Sequence, residues 1–95
     1  MVDCRTVNRS RTEIISQILQ AVNDNDEYGD GVTKTTLLYE AYLNSAQLRE
    51  YLVALTIHGL LGYDPIIRRY NITEKGLRFL ELYHGLREIM KEEEE

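Results

Sequence analysis

The chain has 95 residues, of which 43% are hydrophobic and 28% charged, and its formal net charge is −5. This length suits one small domain of marginal stability, and the charge content with a single proline argues against a disordered chain. No apolar run reaches the roughly 18–20 residues that cross a membrane, and no signal-peptide pattern follows Met1, so we expect a soluble, cytoplasmic protein.

The acidic residues are concentrated in two places. Residues 24–30 hold four acidic groups and residues 81–95 hold six, whereas residues 33–80 hold six basic and four acidic groups. An acidic total counts against nucleic-acid binding, which favours a basic surface. Because charges are screened over roughly 8 Å at physiological salt, the weakly basic centre remains compatible with a local contact to nucleic acid.

Residues 1–9 show no hydrophobic periodicity and are predicted to form a flexible N-terminal arm. Cys4 is the single cysteine of the chain, so an internal disulfide is excluded, and we interpret it as an exposed thiol. Three arginines near this end would give the arm a basic character: Arg5, Arg9 and Arg11.

The first helix is predicted from Arg11 to about Asn23. Ser10 and Glu13 match the S-x-x-E capping box that marks a helix start. One apolar stripe follows at helical spacing, and it predicts a buried face made of Ile14, Ile15, Ile18, Leu19 and Val22.

The segment DNDEYGDG, residues 24–31, is predicted to be a loop because Asp, Asn and Gly favour turns. An EF-hand calcium loop that began at Asp24 would need ligands at its fifth and twelfth positions, but Tyr28 and Thr35 stand there. We therefore interpret this segment as a solvated connector. Val32 and Thr33 could then add a short strand segment.

The next two helices are predicted from Lys34 to about Tyr42 and from Asn44 to His58. The first would be capped by Thr33 and would face inward with Leu37, Leu38 and Ala41. The second has the spacing of a capping box and is followed by a glycine suited to a left-handed C′ position. A helical wheel places Leu48, Leu52 and Leu55 in the core, and Ala46, Glu50, Val53 and Ile57 on the opposite, exposed side.

A hairpin and a long helix follow. The first strand is predicted at 60–63, with a turn at Asp64-Pro65. In the second strand Tyr70 and Ile72 would point inward and Arg69 outward. Thr73 would cap a last helix from Glu74 to at least Lys91, with Leu77 and Leu80 packed on the domain.

The last helix has a second apolar stripe that continues well past the domain. Such a stripe favours contact with a second copy of the chain, as in a coiled coil, although a helix folded over its own domain is the alternative. His84, within the same helix, could also lie in the contact between the two copies. The candidate dimerisation residues are Phe79, Leu82, Tyr83, Leu86, Ile89 and Met90.

The order of these motifs resembles a known family. HGLLGYD followed by RRYNITEKGLRFLE is similar to the closing half of winged-helix domains, in which a Tyr-x-Ile/Leu-Thr-x-x-Gly segment leads from the wing into the last helix. With EIISQILQAV and KTTLLYEAYLNSAQLREYLVALTIHGLL before it, residues 10–90 resemble small archaeal winged helix-turn-helix DNA-binding proteins of chromatin or regulator type.

The resemblance implies an α+β, mainly α-helical winged helix-turn-helix with a two-stranded wing and a long C-terminal dimerisation helix. It divides the chain into an arm (1–9), the winged-helix domain (10–73) and the C-terminal helix (74–95). It also implies a homodimer, often through an antiparallel coiled coil, that contacts double-stranded DNA with its third helix and wing. The chain departs from the strongly basic members of the family by its acidic total and its short coiled-coil segment.

On this fold, the residues placed to contact DNA come from the second helix, the third helix and the wing. Arginine pairs well with guanine or phosphate, glutamine pairs with adenine, and hydroxyl or amide groups at a helix N-terminus suit phosphates. The candidate DNA-binding residues are Lys34, Thr35, Asn44, Ser45, Gln47, Arg49, Arg68 and Arg69.

Two other classes of protein are the alternatives to a DNA-binding protein. Winged helices also serve as protein-docking modules, and an acidic chain with Glu50 among exposed apolar residues favours that alternative; the apolar residues are Val53, Ile57, Ile66 and Ile67. An enzyme is not expected, because the sequence has no glycine-rich phosphate loop, nucleophile elbow or metal-ligand spacing, and His58 and His84 stand far apart. No cofactor or small-molecule substrate is indicated.

Overall fold

The computed structural model describes residues 10–94, and their side chains to residue 90. Within this range the chain forms the predicted order of three helices, an antiparallel hairpin and a fourth helix. The elements are α1 (Arg11–Asn25), α2 (Lys34–Ala41), α3 (Ser45–Ile57), β1 (Leu61–Asp64), β2 (Arg69–Ile72) and α4 (Glu74–Glu94). The predicted arm at residues 1–9, with Cys4, lies outside the described residues.

The ends of α1 and α2 differ slightly from the prediction. Ser10 caps α1 as expected, but the helix ends at Asn25, two residues late, because the Asn25 side-chain amide donates to the Ala21 carbonyl at 2.7 Å and prolongs the last turn. Helix α2 ends one residue early, at Ala41, since Tyr42 adopts a left-handed conformation with φ of 55°. Local capping signals therefore placed the helix starts better than the helix ends.

The core lies where α1, α2 and α3 meet β1 and the first turns of α4. The apolar stripes predicted for α1 and α3 are confirmed as the buried faces of those helices. Burial of each large aliphatic side chain contributes about 1.5–3 kcal/mol. The fully buried members are Ile18, Leu19, Val22, Leu37, Leu48, Leu52 and Leu61.

The hairpin forms the wing, and the acidic loop lies beside it. Strands β1 and β2 pair in the register Leu61↔Ile72 to Asp64↔Arg69. Val32 extends this sheet by one bridge: its N–H donates to the Tyr70 carbonyl at 2.7 Å and its carbonyl accepts from the Tyr70 N–H at 2.8 Å. The predicted strand segment at Val32 is thus confirmed, and the acidic loop that precedes it, residues 24–31, ends beside β2.

Helix α3 ends in a Schellman motif. Gly59 has φ of +78°, the left-handed conformation predicted for it, and its N–H donates to the Thr56 carbonyl at 3.1 Å. The Leu60 N–H donates back to the Leu55 carbonyl at 2.9 Å. This pair of bonds satisfies the last carbonyls of the helix and turns the chain into β1.

The start of α4 is fastened to this turn. The Thr73 hydroxyl lies 2.6 Å from the Gly59 carbonyl oxygen and 3.0 Å from that of Leu60, and it accepts a hydrogen bond from the Gly76 N–H at 3.1 Å. The Lys75 ammonium donates to the carbonyl of His58, the C-cap residue of α3, at 2.7 Å. One threonine therefore caps α4 and ties it to the end of α3.

Helix α4 packs on the domain only over its first turns. Leu80 is buried as predicted, but Leu77 is exposed, because Gly76 and Leu80 occupy the inward side and Leu77 is rotated away from it. Phe79, predicted for the outer stripe, instead packs against the core. His84 contacts α1 of its own chain: its Nε2 lies 3.1 Å from the Gln20 amide oxygen.

We expect Gly76→Ala to lower the free energy of unfolding by about 1–3 kcal/mol, as overpacking does in a well-packed core. A Cβ at residue 76 would overlap the Leu60 carbonyl oxygen and lie 2.7 Å from the Ile72 side chain. Gly85→Ala is the matched control in the same helix, since its Cβ would meet no atom, and it should raise stability by about 0.5–1 kcal/mol. Urea denaturation followed by circular dichroism measures both, and a stabilised Gly76→Ala would contradict the close approach.

Candidate nucleic-acid interface

The N-terminus of α3 is exposed and capped by its own side chains. The Asn44 side-chain oxygen accepts from the Gln47 N–H at 2.8 Å, and the Gln47 side-chain oxygen accepts from the Asn44 N–H at 3.3 Å, which confirms the predicted capping box. Ser45 is the first helical residue and is exposed beside them. Two of the candidate DNA-binding side chains therefore already stabilise the helix, and the partial positive charge of its N-terminus faces solvent.

The exposed face of α3 is largely apolar. Val53 is 54% exposed and Ile57 is 75% exposed, and Glu50 lies beside Ile57 on the wheel. Gln47 and Arg49 stand on opposite flanks of this face, about 160° apart around the helix axis. These two side chains would therefore contact different parts of any partner that α3 binds.

The Gln47 flank of α3 borders a cleft toward α1. The cleft has a volume of about 440 Å³, and its polar lining includes Arg11, Gln47 and Glu50. Arg11 is the first residue of α1, as predicted, and lies at this cleft. Its positive charge is thus placed on the same side of α3 as Gln47.

The other flank of α3 faces the wing. Val53, Thr56 and Ile57 line a cleft of about 220 Å³ together with Tyr63 and Tyr70, whose rings lie 4.6 Å apart. Burial, and secondarily the neighbouring Tyr63, raises the pKa of Tyr70 above its ordinary value. Tyr63 itself lies on the exposed half of β1 and is 42% exposed.

Helix α2 presents its N-terminus at the surface. Thr33 caps it, with the side-chain oxygen accepting from the Thr36 N–H at 3.3 Å, as predicted. Lys34 is half-buried and Thr35 is exposed in the first turn. Among the described side chains, none forms a hydrogen bond or ion pair with the charged groups of Lys34, Arg49 and Arg68.

The two wing arginines have different surroundings. Arg68 is exposed in the turn between the strands, with a left-handed φ of 56°, and its N–H donates to the Asp64 carbonyl at 2.7 Å. Arg69 lies on the sheet face opposite Tyr70, as predicted, but it is half-buried and its Nη1 donates to the Gly31 carbonyl at 3.2 Å. Arg69 is therefore partly engaged in holding the acidic loop.

Negative charge stands close to Arg69. Asp30 and Asp64 border the same cleft of about 450 Å³ that contains Arg69. The bridge between Val32 and Tyr70 causes this placement of the acidic loop. The carboxylates weaken the positive potential on this side of the wing.

The described residues contain neither a metal-binding cluster nor a membrane-spanning helix. Residues 10–94 contain no group of three or more His, Cys, Asp or Glu placed to hold a metal ion. Over the same part of the chain, no helix is both long and apolar enough to cross a membrane.

This architecture is that of a winged helix-turn-helix protein, and residues 8–91 match the winged helix-turn-helix family model. The chain belongs to this family. It is similar to the crystal structure of Sso10a-2, a DNA-binding protein from Sulfolobus solfataricus, with 26% sequence identity and a TM-score of 0.68 over 90% of each chain. No curated protein matches the chain. The resemblance to small archaeal winged-helix proteins is thus confirmed.

We expect Asn44→Ala to lower the free energy of unfolding by about 1 kcal/mol, whereas Asn44→Ser should change it by only a few tenths, because serine is an equally good N-cap. Asn44 and Gln47 form the capping box of α3, so truncation leaves one helix N–H without its acceptor. Thermal unfolding of the wild type and both variants measures the difference. Equal stabilities for all three would mean that the box contributes nothing.

Proposed function

We propose that the protein binds double-stranded DNA, with α3 as the element that enters the major groove. The observation that supports this most directly is the exposed N-terminus and outer face of α3, together with three cations whose charged groups have no hydrogen-bond or ion-pair partner among the described side chains: Lys34 on α2, Arg49 on α3 and Arg68 on the wing. The family and the solved DNA-binding relative support the same conclusion. We further propose a non-enzymatic role.

The candidate residues would divide between affinity and sequence preference. Lys34, Thr35 and Ser45 lie at helix N-termini, where phosphate oxygens are well accommodated, and Arg68 extends this set onto the wing. Gln47 and Arg49, on opposite flanks of α3, are suited to base edges in the groove. Asn44 and Arg69 would contribute less, because each is already hydrogen-bonded within the protein. Gln47 also takes part in the capping box, but it does so through its side-chain oxygen at 3.3 Å and can still donate through its side-chain amide.

We propose that the protein is a homodimer joined by the outer half of α4. The helix has 21 residues, a length of roughly 31 Å, and its core contacts stop near Leu80. Leu82 is 70% exposed, and Leu86, Ile89 and Met90 are exposed on the following turns. An apolar stripe of this extent favours burial against a second copy. Phe79 and Tyr83 would support it from the domain side, where their rings stack at 6.4 Å.

A dimer of this kind would suit a transcriptional regulator or a chromatin-associated protein, because two winged helices can occupy two sites on one duplex. The acidic residues near the wing favour modest affinity. A second candidate function is that of a protein-docking module, which the apolar outer face of α3 favours through Val53 and Ile57. The two candidate functions predict different effects of salt on binding: affinity for DNA falls steeply as the salt concentration rises.

We expect the affinity of the dimer for duplex DNA to fall roughly 10³- to 10⁵-fold between 50 and 200 mM salt, as for three to five phosphate contacts from each of two protomers. Arg68→Gln and Lys34→Gln should each weaken binding to every sequence and reduce the salt slope by about 1 per protomer. Fluorescence anisotropy measures these values. Arg78→Gln, which removes the same charge from an exposed site on α4, should leave the slope unchanged.

The same titration tests sequence preference. Gln47→Ala and Arg49→Ala should alter the ratio of affinities for different duplexes rather than the salt slope, because they would contact bases. Absence of binding by the wild type even at low salt would refute DNA binding. In that case the apolar face of α3 would be the surface to examine for a protein partner.

We expect sedimentation at micromolar concentration to give about twice the chain mass of 11.1 kDa. Leu86→Glu and Ile89→Glu should yield monomers, because each would place a charge in the buried seam. Glu88→Lys is the control: Glu88 is exposed about 160° around the helix from Leu86 and should not alter the mass. A monomeric wild type would contradict the proposal.

A further inference from the structure

The tip of the wing carries an unusual pair of side chains. Ile66 is 89% exposed, and Ile67 beside it is 50% exposed, in the turn that joins β1 to β2. Arg68 follows directly and is also exposed. The protruding branched apolar side chain and the nearby cation suit this tip to a contact that combines an apolar surface with negative charge.

The tip is held rigidly by its own backbone. The Asp64 carboxylate accepts from the Ile66 N–H at 2.9 Å, and the Asp64 carbonyl accepts from the Arg68 N–H at 2.7 Å. Pro65 fixes the backbone at the start of the turn, and the pair Asp64↔Arg69 closes it. A tip restrained in this way loses little conformational freedom when it inserts into a partner.

We propose that Ile66 is a wedge that inserts between base pairs from the minor groove, unstacks one step and bends the duplex. The inference rests on the proposed DNA binding. Minor-groove proteins use isoleucine and similar side chains in this way, with arginine or lysine alongside for the phosphates and the groove floor. Arg68 supplies that cation two residues along the chain, and the Asp64 carboxylate accepts from the Ile66 N–H.

A wedge of this kind makes binding depend on the stiffness of the DNA. Pyrimidine–purine steps such as TA unstack easily, whereas A-tracts are stiff. The protein would therefore prefer duplexes with TA steps without forming a hydrogen bond to their bases. A protein partner at the tip would show none of this dependence on the DNA step.

The test uses the full chain and two duplexes, one of repeated TA steps with 2-aminopurine at several adenines and one built on an A-tract. For the TA duplex, we expect the wild type to increase 2-aminopurine fluorescence and to bring end-attached dyes closer, as for a bend of roughly 20–90°. Both signals should be smaller on the A-tract. Ile66→Ser should lose both signals with an unchanged salt slope, and Ile66→Leu should retain them.

The outcomes separate the two proposals. Binding by the wild type without unstacking or bending would overturn the wedge and leave DNA binding intact. Equal unstacking and bending by the wild type and Ile66→Ser would also overturn it, since another element would then deform the duplex. No binding at low salt would overturn both. Circular dichroism of each variant confirms that the exposed substitution leaves the fold unchanged.

Discussion

The structure depends on the contact between the end of α3 and the start of α4, which meet at the carbonyl oxygen of Leu60. Gly59 turns the chain, the Thr73 hydroxyl bridges the turn to the first turn of α4, and Gly76 lies against the same carbonyl without a side chain. The hairpin begins after the end of α3 and finishes before the start of α4. Because these two ends are held together, their contact fixes the position of the wing relative to α3. The Tyr-x-Ile-Thr-x-x-Gly segment thereby has a physical explanation: its threonine and glycine are the two residues that allow the approach.

The position of α3 and the chemistry of its exposed face lead to different conclusions about function. Its buried leucines hold it at the surface between α1 and the wing, where a winged helix contacts DNA. Its outer face, however, is mainly apolar with one acid. Under the proposed DNA binding, electrostatic affinity would then come from Arg49 on the flank of α3 and from Lys34 and Arg68 on other elements. The acidic loop borders the same cleft as Arg69 and would reduce the contribution of Arg69, because nearby carboxylates lower the positive potential.

The first turns and the later turns of helix α4 form for different physical reasons. Its first turns are set by Thr73 and by Gly76 and Leu80 on the inward side. Its later turns continue because helical propagation adds a hydrogen bond for each residue, although the domain no longer covers the apolar side. The stacked rings of Phe79 and Tyr83 mark the boundary, half-buried between the core and the exposed stripe. Helix α4 thus stabilises its own domain through its first turns, and its later turns present an apolar surface suited to contact with a second copy.

The sequence by itself determined the features whose causes are local. The capping box of Asn44 and Gln47, the left-handed Gly59 and the leucine stripe of α3 involve residues no more than a few positions apart, so spacing was enough to predict them. The same spacing placed the candidate DNA-binding residues on the correct elements but could not show which were already bonded. The tertiary structure decided that Arg69 would bond to Gly31, 38 residues away, and that Phe79 would turn inward. Those outcomes depend on how separate elements close on one another, and the periodicity of a single element carries no information about its neighbours.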